Sequence, residues 1–266
     1  MRFAIGIEYD GSGFNGWQSQ PGGGTVQDAV ETAIQYIAGV KIRVNAAGRT
    51  DSGVHAVNQV AHFDVEVKRP LNAWVRGVNG FLPPGVAVTW VKEVEPAFHA
   101  RRCARQRTYR YVLLNHPVRP AFFQGHVGWY HIPVDVERMQ EASACLMGQH
   151  DFSAFRAAGC QSASPVRNIS SIKIVRQADY VLFELKADAF LYHMVRNIVG
   201  CLVYIGDARR EIDWMVEVLE SRSRKLAAPT INASGLYLFD VEYDPKWSLP
   251  HIGGRFPFGE WDLNHG

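Results

Sequence analysis

A chain of 266 residues, 47% hydrophobic and 20% charged, has the composition of a folded globular protein. It leaves room for one large domain or two half-domains. The formal charge of +2 is too small to indicate an acidic partner. The distribution is more telling: no acidic residue lies between Glu95 and Asp135, whereas Arg101, Arg102, Arg105, Arg107, Arg110 and Arg119 all do. The chain carries 21 arginines against seven lysines, and a guanidinium suits planar, bidentate phosphate contacts. Cys103, Cys145, Cys160 and Cys201 are too scattered for a disulfide framework or a C-x-x-C zinc site. The N-terminus runs straight into strand-like alternation rather than a signal-peptide core, and no apolar run reaches membrane-spanning length. A cytoplasmic protein is expected, with no membrane association.

The alternation of residues 2–9 predicts a strand. Thr25-Val26-Gln27-Asp28 resembles a capping box and opens a helix to about Ile37, closed by Gly39. A strand near 41–48, a glycine-flanked loop at 48–56 and a strand at 57–67 follow. Pro70 opens a short helix that Pro83-Pro84-Gly85 stops. Residues 86–94 and 104–114 read as strands, and 115–133 as loop. The second half offers a helix near 135–147, strands near 167–176 and 180–187, helices near 191–205 and 210–220, and a closing strand at 236–243. The expectation is an α+β fold. Residues 1–115 and 116–266 form two halves that share one extended, mainly antiparallel sheet flanked by helices.

Gly11-Ser12-Gly13-Phe14-Asn15-Gly16 fits G-x-G-x-x-G after a strand, but its last glycine opens no helix on which a pyrophosphate could sit. A mobile loop is the expected reading. Gly48-Arg49-Thr50-Asp51-Ser52-Gly53-Val54-His55-Ala56 is more informative, because loops on rigid strands present reactive groups. Asp51 either makes a side-chain turn with Ser52-Gly53 or serves as a carboxylate nucleophile. The second role asks for a nearby cation, and Arg49 is the only one close in sequence. Arg105, Arg107, Tyr109 and Tyr111 alternate onto one strand face, with Gln106, Thr108 and Arg110 on the other. Arginines that hold phosphates beside a phenol that stacks on a base suit nucleic acid; tyrosines packed at a core edge are the alternative. Arg196, among Val195, Val199 and Leu202, must reach water or pair with an anion.

At these residues the chain resembles the tRNA pseudouridine synthase A family. The matching pieces are Tyr9-Asp10-Gly11-Ser12 with Gly16-Trp17-Gln18, the Gly48–Ala56 loop, and Arg107-Thr108-Tyr109-Arg110-Tyr111. His150-Asp151-Phe152-Ser153-Ala154-Phe155 follows, then Phe190 with Met194-Val195-Arg196-Asn197-Ile198-Val199-Gly200. Ser52 stands where many relatives carry alanine. The resemblance implies the pseudouridine synthase fold with a basic central cleft. It implies an isomerase that converts uridine to pseudouridine at tRNA positions 38, 39 and 40 in the anticodon stem-loop. It further implies a homodimer on which one tRNA spans both subunits, needing no metal and no organic cofactor. Asp51 would be the nucleophile, Tyr109 would pack on the target base, and Arg196 would pair with Asp51. Arg49 would order the loop or contact the flipped nucleotide, with Arg105, Arg107 and Arg110 as further RNA contacts. Attack at C1′, addition at C6, and removal of the C2′ proton to give a glycal all remain open. The rival readings are a non-catalytic RNA-binding module and a metal-dependent nuclease. The first assigns nothing to Asp51 or Arg196, and the second normally wants several clustered carboxylates.

Overall fold

The computed structural model describes residues 1–250, 256–259, 261 and 263. The chain divides into two compact units, Met1–Arg107 with Tyr237–Phe258, and Thr108–Leu236 with the last residues. The division falls within a strand, a few residues before the expected boundary, and the closing strand returns to the first unit.

In the first unit, β1 (Arg2–Tyr9) lies between β3 (His55–Asp64) and β4 (Val86–Val94), antiparallel to both. The return strand β10 (Leu236–Tyr243) joins the far edge of β3 in parallel. Of the strand expected near 41–48, only β2 (Asn45–Ala46) pairs, against β3. Register sets which face each side chain takes: Phe3 opposes Phe63, Ile5 opposes Ala61 and Ile7 opposes Gln59. The helices cover this face. α1 (Val26–Ala38) starts at Thr25, whose hydroxyl accepts the Asp28 N–H, and ends at Gly39 in the left-handed region. α2 (Leu71–Phe81) packs on α1 and β4, and its Trp74 ring meets Phe3 and Phe63 at 5.7 and 5.5 Å. All three rings are buried, and burial on this scale contributes roughly 2–3 kcal/mol per side chain.

In the second unit, β5 (Ala104–Asn115) is followed across the sheet by β9 (Tyr180–Ala187), β8 (Val166–Gln177) and β7 (Gly148–Asp151). The short strand β6 (Gly128–Tyr130) adds to β5 in parallel, inside the stretch expected to be loop. α3 (Val136–Ser143) packs on β8 and on α4 (Met194–Gly206), and α5 (Trp214–Ser221) rests on both helices. α4 is almost wholly buried, as its all-round hydrophobicity requires. Each unit is thus an α+β layer, and no helix among the described residues is long and apolar enough to cross a membrane.

The other face of the first sheet carries a pH-sensitive contact. His62 is 2% exposed; its Nδ1 accepts the Ala100 N–H at 3.2 Å and its ring lies 4.6 Å from that of His99. Burial, reinforced by His99 and Arg2, pulls its pKa down to about 4. The unfolded chain therefore takes up the proton first, so the contribution of His62 is complete above about pH 6.5 and is lost as pH falls toward 4. His62→Asn, which keeps an acceptor but cannot titrate, should show a smaller fall in melting temperature between pH 7 and pH 4.5 than the unmodified protein. Equal falls in thermal scans would contradict this.

Candidate active site

The Gly48–Val54 loop joins β2 to β3 and is held at its base by two buried side chains. Gln59, fully enclosed on the helical face of β3, donates Nε2 to the Gly48 carbonyl at 2.7 Å and accepts the Gly48 N–H at 3.4 Å. Arg107, 8% exposed, donates to the Ala47 carbonyl at 3.1 Å and to the Arg101 and Ala104 carbonyls at 2.8 and 3.3 Å. Higher in the loop, the buried Thr50 hydroxyl lies 2.8 Å from the Tyr9 hydroxyl. Burial pushes the Tyr9 phenol far above its ordinary range, so this pair stays neutral. The Asp51 carbonyl accepts the Val54 N–H at 3.1 Å, closing a turn through Gly53 at φ 77°. Asp51 is half-buried; Arg49 and Ser52 beside it are exposed.

The glycine-rich segment expected to be a mobile loop is instead the wall against which this loop leans. Residues Gly11–Gly13 form a short 3-10 turn capped by Asp10, which accepts the Ser12 N–H at 2.9 Å. The Gly11 N–H donates to His55 Nδ1 at 3.0 Å. A Cβ on Gly11 would sit 2.0 Å from the Val54 carbonyl oxygen, and one on Gly16, whose φ is 78°, would sit 2.6 Å from that of Thr50. The Trp17 N–H then donates to the Thr50 carbonyl at 3.0 Å, and the Ser52 hydroxyl to the Phe14 carbonyl at 3.1 Å. The spacing of glycines before a large buried aromatic was the available signal: it marks close backbone approach rather than a nucleotide turn.

In the second unit, Tyr109 is 8% exposed and its ring meets Phe190 edge-on at 5.0 Å. Phe190 belongs to the segment between β9 and α4. His193 takes the N-cap of α4 in the left-handed region without a side-chain cap, so the helix begins three residues later than expected. Arg196 stands in its first turn, which contains no acidic residue. Its Nε donates to the Ile231 carbonyl at 2.9 Å, and the next carbonyl, Asn232, accepts the Tyr111 hydroxyl at 2.9 Å. Burial pushes the Tyr111 phenol up, against the opposite pull of the nearby Arg196 guanidinium.

The sequence-derived residues fall in both units: Arg49, Asp51, Arg105 and Arg107 in the first, Tyr109, Arg110 and Arg196 in the second. Arg107, expected on the basic face, and Arg110, expected on the opposite face, are both largely covered, because β5 is buried on both sides over most of its length from Arg107 onward. Arg107 braces backbone, and Arg110 pairs with Glu184 at 2.8 Å, both side chains being largely enclosed. Arg105 is exposed and pairs with Asp244. Thiol chemistry at two other positions is disfavoured, since burial pushes Cys145 and Cys201 up to about 11.

The family model described as tRNA pseudouridine synthase matches residues 5–101 and 142–244, spans that hold Asp51 and Arg196. The chain is 57% identical over 256 residues to tRNA pseudouridine synthase A of Dechloromonas aromatica, covering 96% of this chain and 98% of that protein. The same-named protein of Thiobacillus denitrificans is 57% identical over 258 residues, with coverage of 97% and 99%. That of Aromatoleum aromaticum is 56% identical over 263 residues, with coverage of 97% and 100%.

The wall makes a testable demand on one atom. Gly11→Ala should destabilise the protein by about 1–3 kcal/mol, because backbone must move to admit the methyl group. Gly13→Ala, where a Cβ meets nothing within 4 Å, should leave the melting temperature almost unchanged. Equal melting temperatures for the two variants would contradict the close approach.

Proposed function

The chain belongs to the tRNA pseudouridine synthase family and isomerises uridine to pseudouridine in transfer RNA, and we propose that Asp51 is the nucleophile of that reaction. The supporting observation is the loop itself: a half-buried carboxylate on a turn whose base and flank are fixed by Gln59, Arg107, Tyr9 and two glycine contacts. Such fixing suits a nucleophile that must meet one carbon of a flipped nucleotide.

The reaction breaks the N1–C1′ bond, turns the base and joins C5 to C1′; the C5 proton leaves and nothing else is released. Asp51 takes the role of nucleophile at C1′ or C6, or of base at C2′. Arg196 is its cation. It sits in the first turn of α4, where the helix dipole also favours an anion by roughly 0.3–1 kcal/mol. Tyr109 lies against the target base with its ring held by Phe190, and its hydroxyl is the group that moves the C5 proton. Everting the uridine costs a few kcal/mol, which stacking on an aromatic ring and phosphate contacts offset.

Arg49 and Arg105, the exposed arginines of the set, are assigned to the RNA backbone; Arg107 and Arg110 are assigned to holding the loop and β5. The targets are placed at positions 38, 39 and 40 of the anticodon stem-loop. The working assembly is a cytoplasmic homodimer with one tRNA across both subunits. A non-catalytic RNA-binding module leaves the Asp51 loop without a reason to be so constrained.

Two variants test the roles, using tRNA tritiated at uridine C5. Asp51→Asn should bind tRNA within about threefold of the parent and release no tritium to water; normal release would remove Asp51 as nucleophile. Tyr109→Phe should bind equally well while release slows by about 10²-fold or more, the usual worth of a proton-transfer group. An unchanged rate would leave Tyr109 as a stacking surface alone.

A further inference from the structure

Behind Arg196 lies a polar cluster that the reaction scheme leaves unused. Asn197 is fully buried in α4, one residue beyond Arg196. Its Nδ2 donates to the Phe155 carbonyl at 2.8 Å. Its Oδ1 accepts the Thr230 hydroxyl at 2.7 Å and an Arg224 N–H at 3.1 Å. The same Arg224 nitrogen reaches the Thr230 hydroxyl oxygen at 3.0 Å, and its other terminal nitrogen donates to the Ala227 carbonyl at 3.2 Å. Every polar group of the Asn197 amide thus points at a segment distant in sequence.

The segment this cluster holds is Ala227–Asn232. The Ala228 N–H donates to Cys201 Sγ at 3.3 Å, and the Pro229 carbonyl oxygen would lie only 2.6 Å from a Cβ on Gly200. The strap is therefore pressed flat on α4 at Gly200 and Cys201 and tied at Thr230 to Asn197. The next residue, Ile231, supplies the carbonyl that receives Arg196 Nε. A guanidinium is planar, so fixing Nε sets the plane in which its terminal nitrogens lie.

We propose that Asn197, Thr230 and Arg224 form a positioning clamp that sets the direction of the Arg196 guanidinium through the Ile231 carbonyl. The clamp touches no reacting atom; it acts on catalysis through Arg196, and it rests on the Arg196 role proposed above. A buried, fully hydrogen-bonded amide is suited to this, because displacing any member leaves an unsatisfied polar group and the arrangement has one stable setting.

Thr230→Val keeps shape and removes the hydroxyl; Thr230→Ser restores it. In single-turnover reactions, with the active fraction fixed by tRNA-binding stoichiometry, Thr230→Val should lower the isomerisation rate about 10- to 100-fold. Its tRNA affinity should stay within about twofold, and Thr230→Ser should recover most of the rate. A rate within twofold of the parent, or equal losses in the Val and Ser variants, overturns the clamp. If Thr230→Val does not yield folded protein, Arg224→Gln serves with the same expectation and the same overturning result. Arg196→Gln, run in parallel, separates the two claims. A normal rate there sinks the Arg196 role itself, whereas a slow Arg196→Gln beside a normal Thr230→Val sinks only the clamp.

Discussion

Two stretches of backbone lie against each other with no side chain between them: Gly11 under the Val54 carbonyl and Gly16 under that of Thr50. The contact brings the Trp17 N–H to the Thr50 carbonyl and the Gly11 N–H to His55, so the Asp51 turn is gripped on both shoulders. From below, Gln59 and Arg107 saturate the carbonyls that lead into it. A carboxylate on an ordinary surface turn samples many directions, and one sealed in a core loses its charge. In this turn the backbone is fixed while the Asp51 side chain stays half-buried. The chemistry proposed for it depends on that compromise.

The second unit handles a cation by the same logic. Arg196 could not be placed on α4 without a partner for its guanidinium, and the partner for Nε is a carbonyl on a strap rather than a side chain. A carbonyl cannot titrate, so its grip on the guanidinium is independent of pH. The strap in turn depends on Asn197, whose amide meets the Phe155 carbonyl, Thr230 and Arg224 at once. The backbone under Asp51 and the Arg196 guanidinium are therefore both held by hydrogen bonds to residues far away in the chain.

Local pattern alone made much of this legible. The capped helix α1, the strands β1, β4, β5, β8 and β9, and the Gly48–Ala56 loop all announce themselves through period, caps and glycine placement. What stayed hidden was what pairing creates. β6 and β7 are short and exist because β5 and β8 offer them an edge, which no window of sequence reveals. Arg107 read as a phosphate ligand because alternation gives a side chain's face, not whether that face is covered; here it is covered, and three carbonyls take its donors. The left-handed break at His193 is masked by apolar residues on both sides, so the start of α4 was set too early. Roles for Asp51, Tyr109 and Arg196 came from motif resemblance, since composition and periodicity point to loop, strand and helix without naming a reaction.

The proposed nucleophile requires that the Asp51 turn be built before RNA arrives. Amide hydrogen exchange on the protein without tRNA addresses this at Trp17 and Val54, whose N–H groups donate to the Thr50 and Asp51 carbonyls. Both should exchange orders of magnitude more slowly than unstructured peptide, and more slowly than the neighbouring Gly22 amide. Exchange at Trp17 and Val54 as fast as in a free peptide would mean that the turn forms only around its substrate, and the preorganised nucleophile would have to be abandoned.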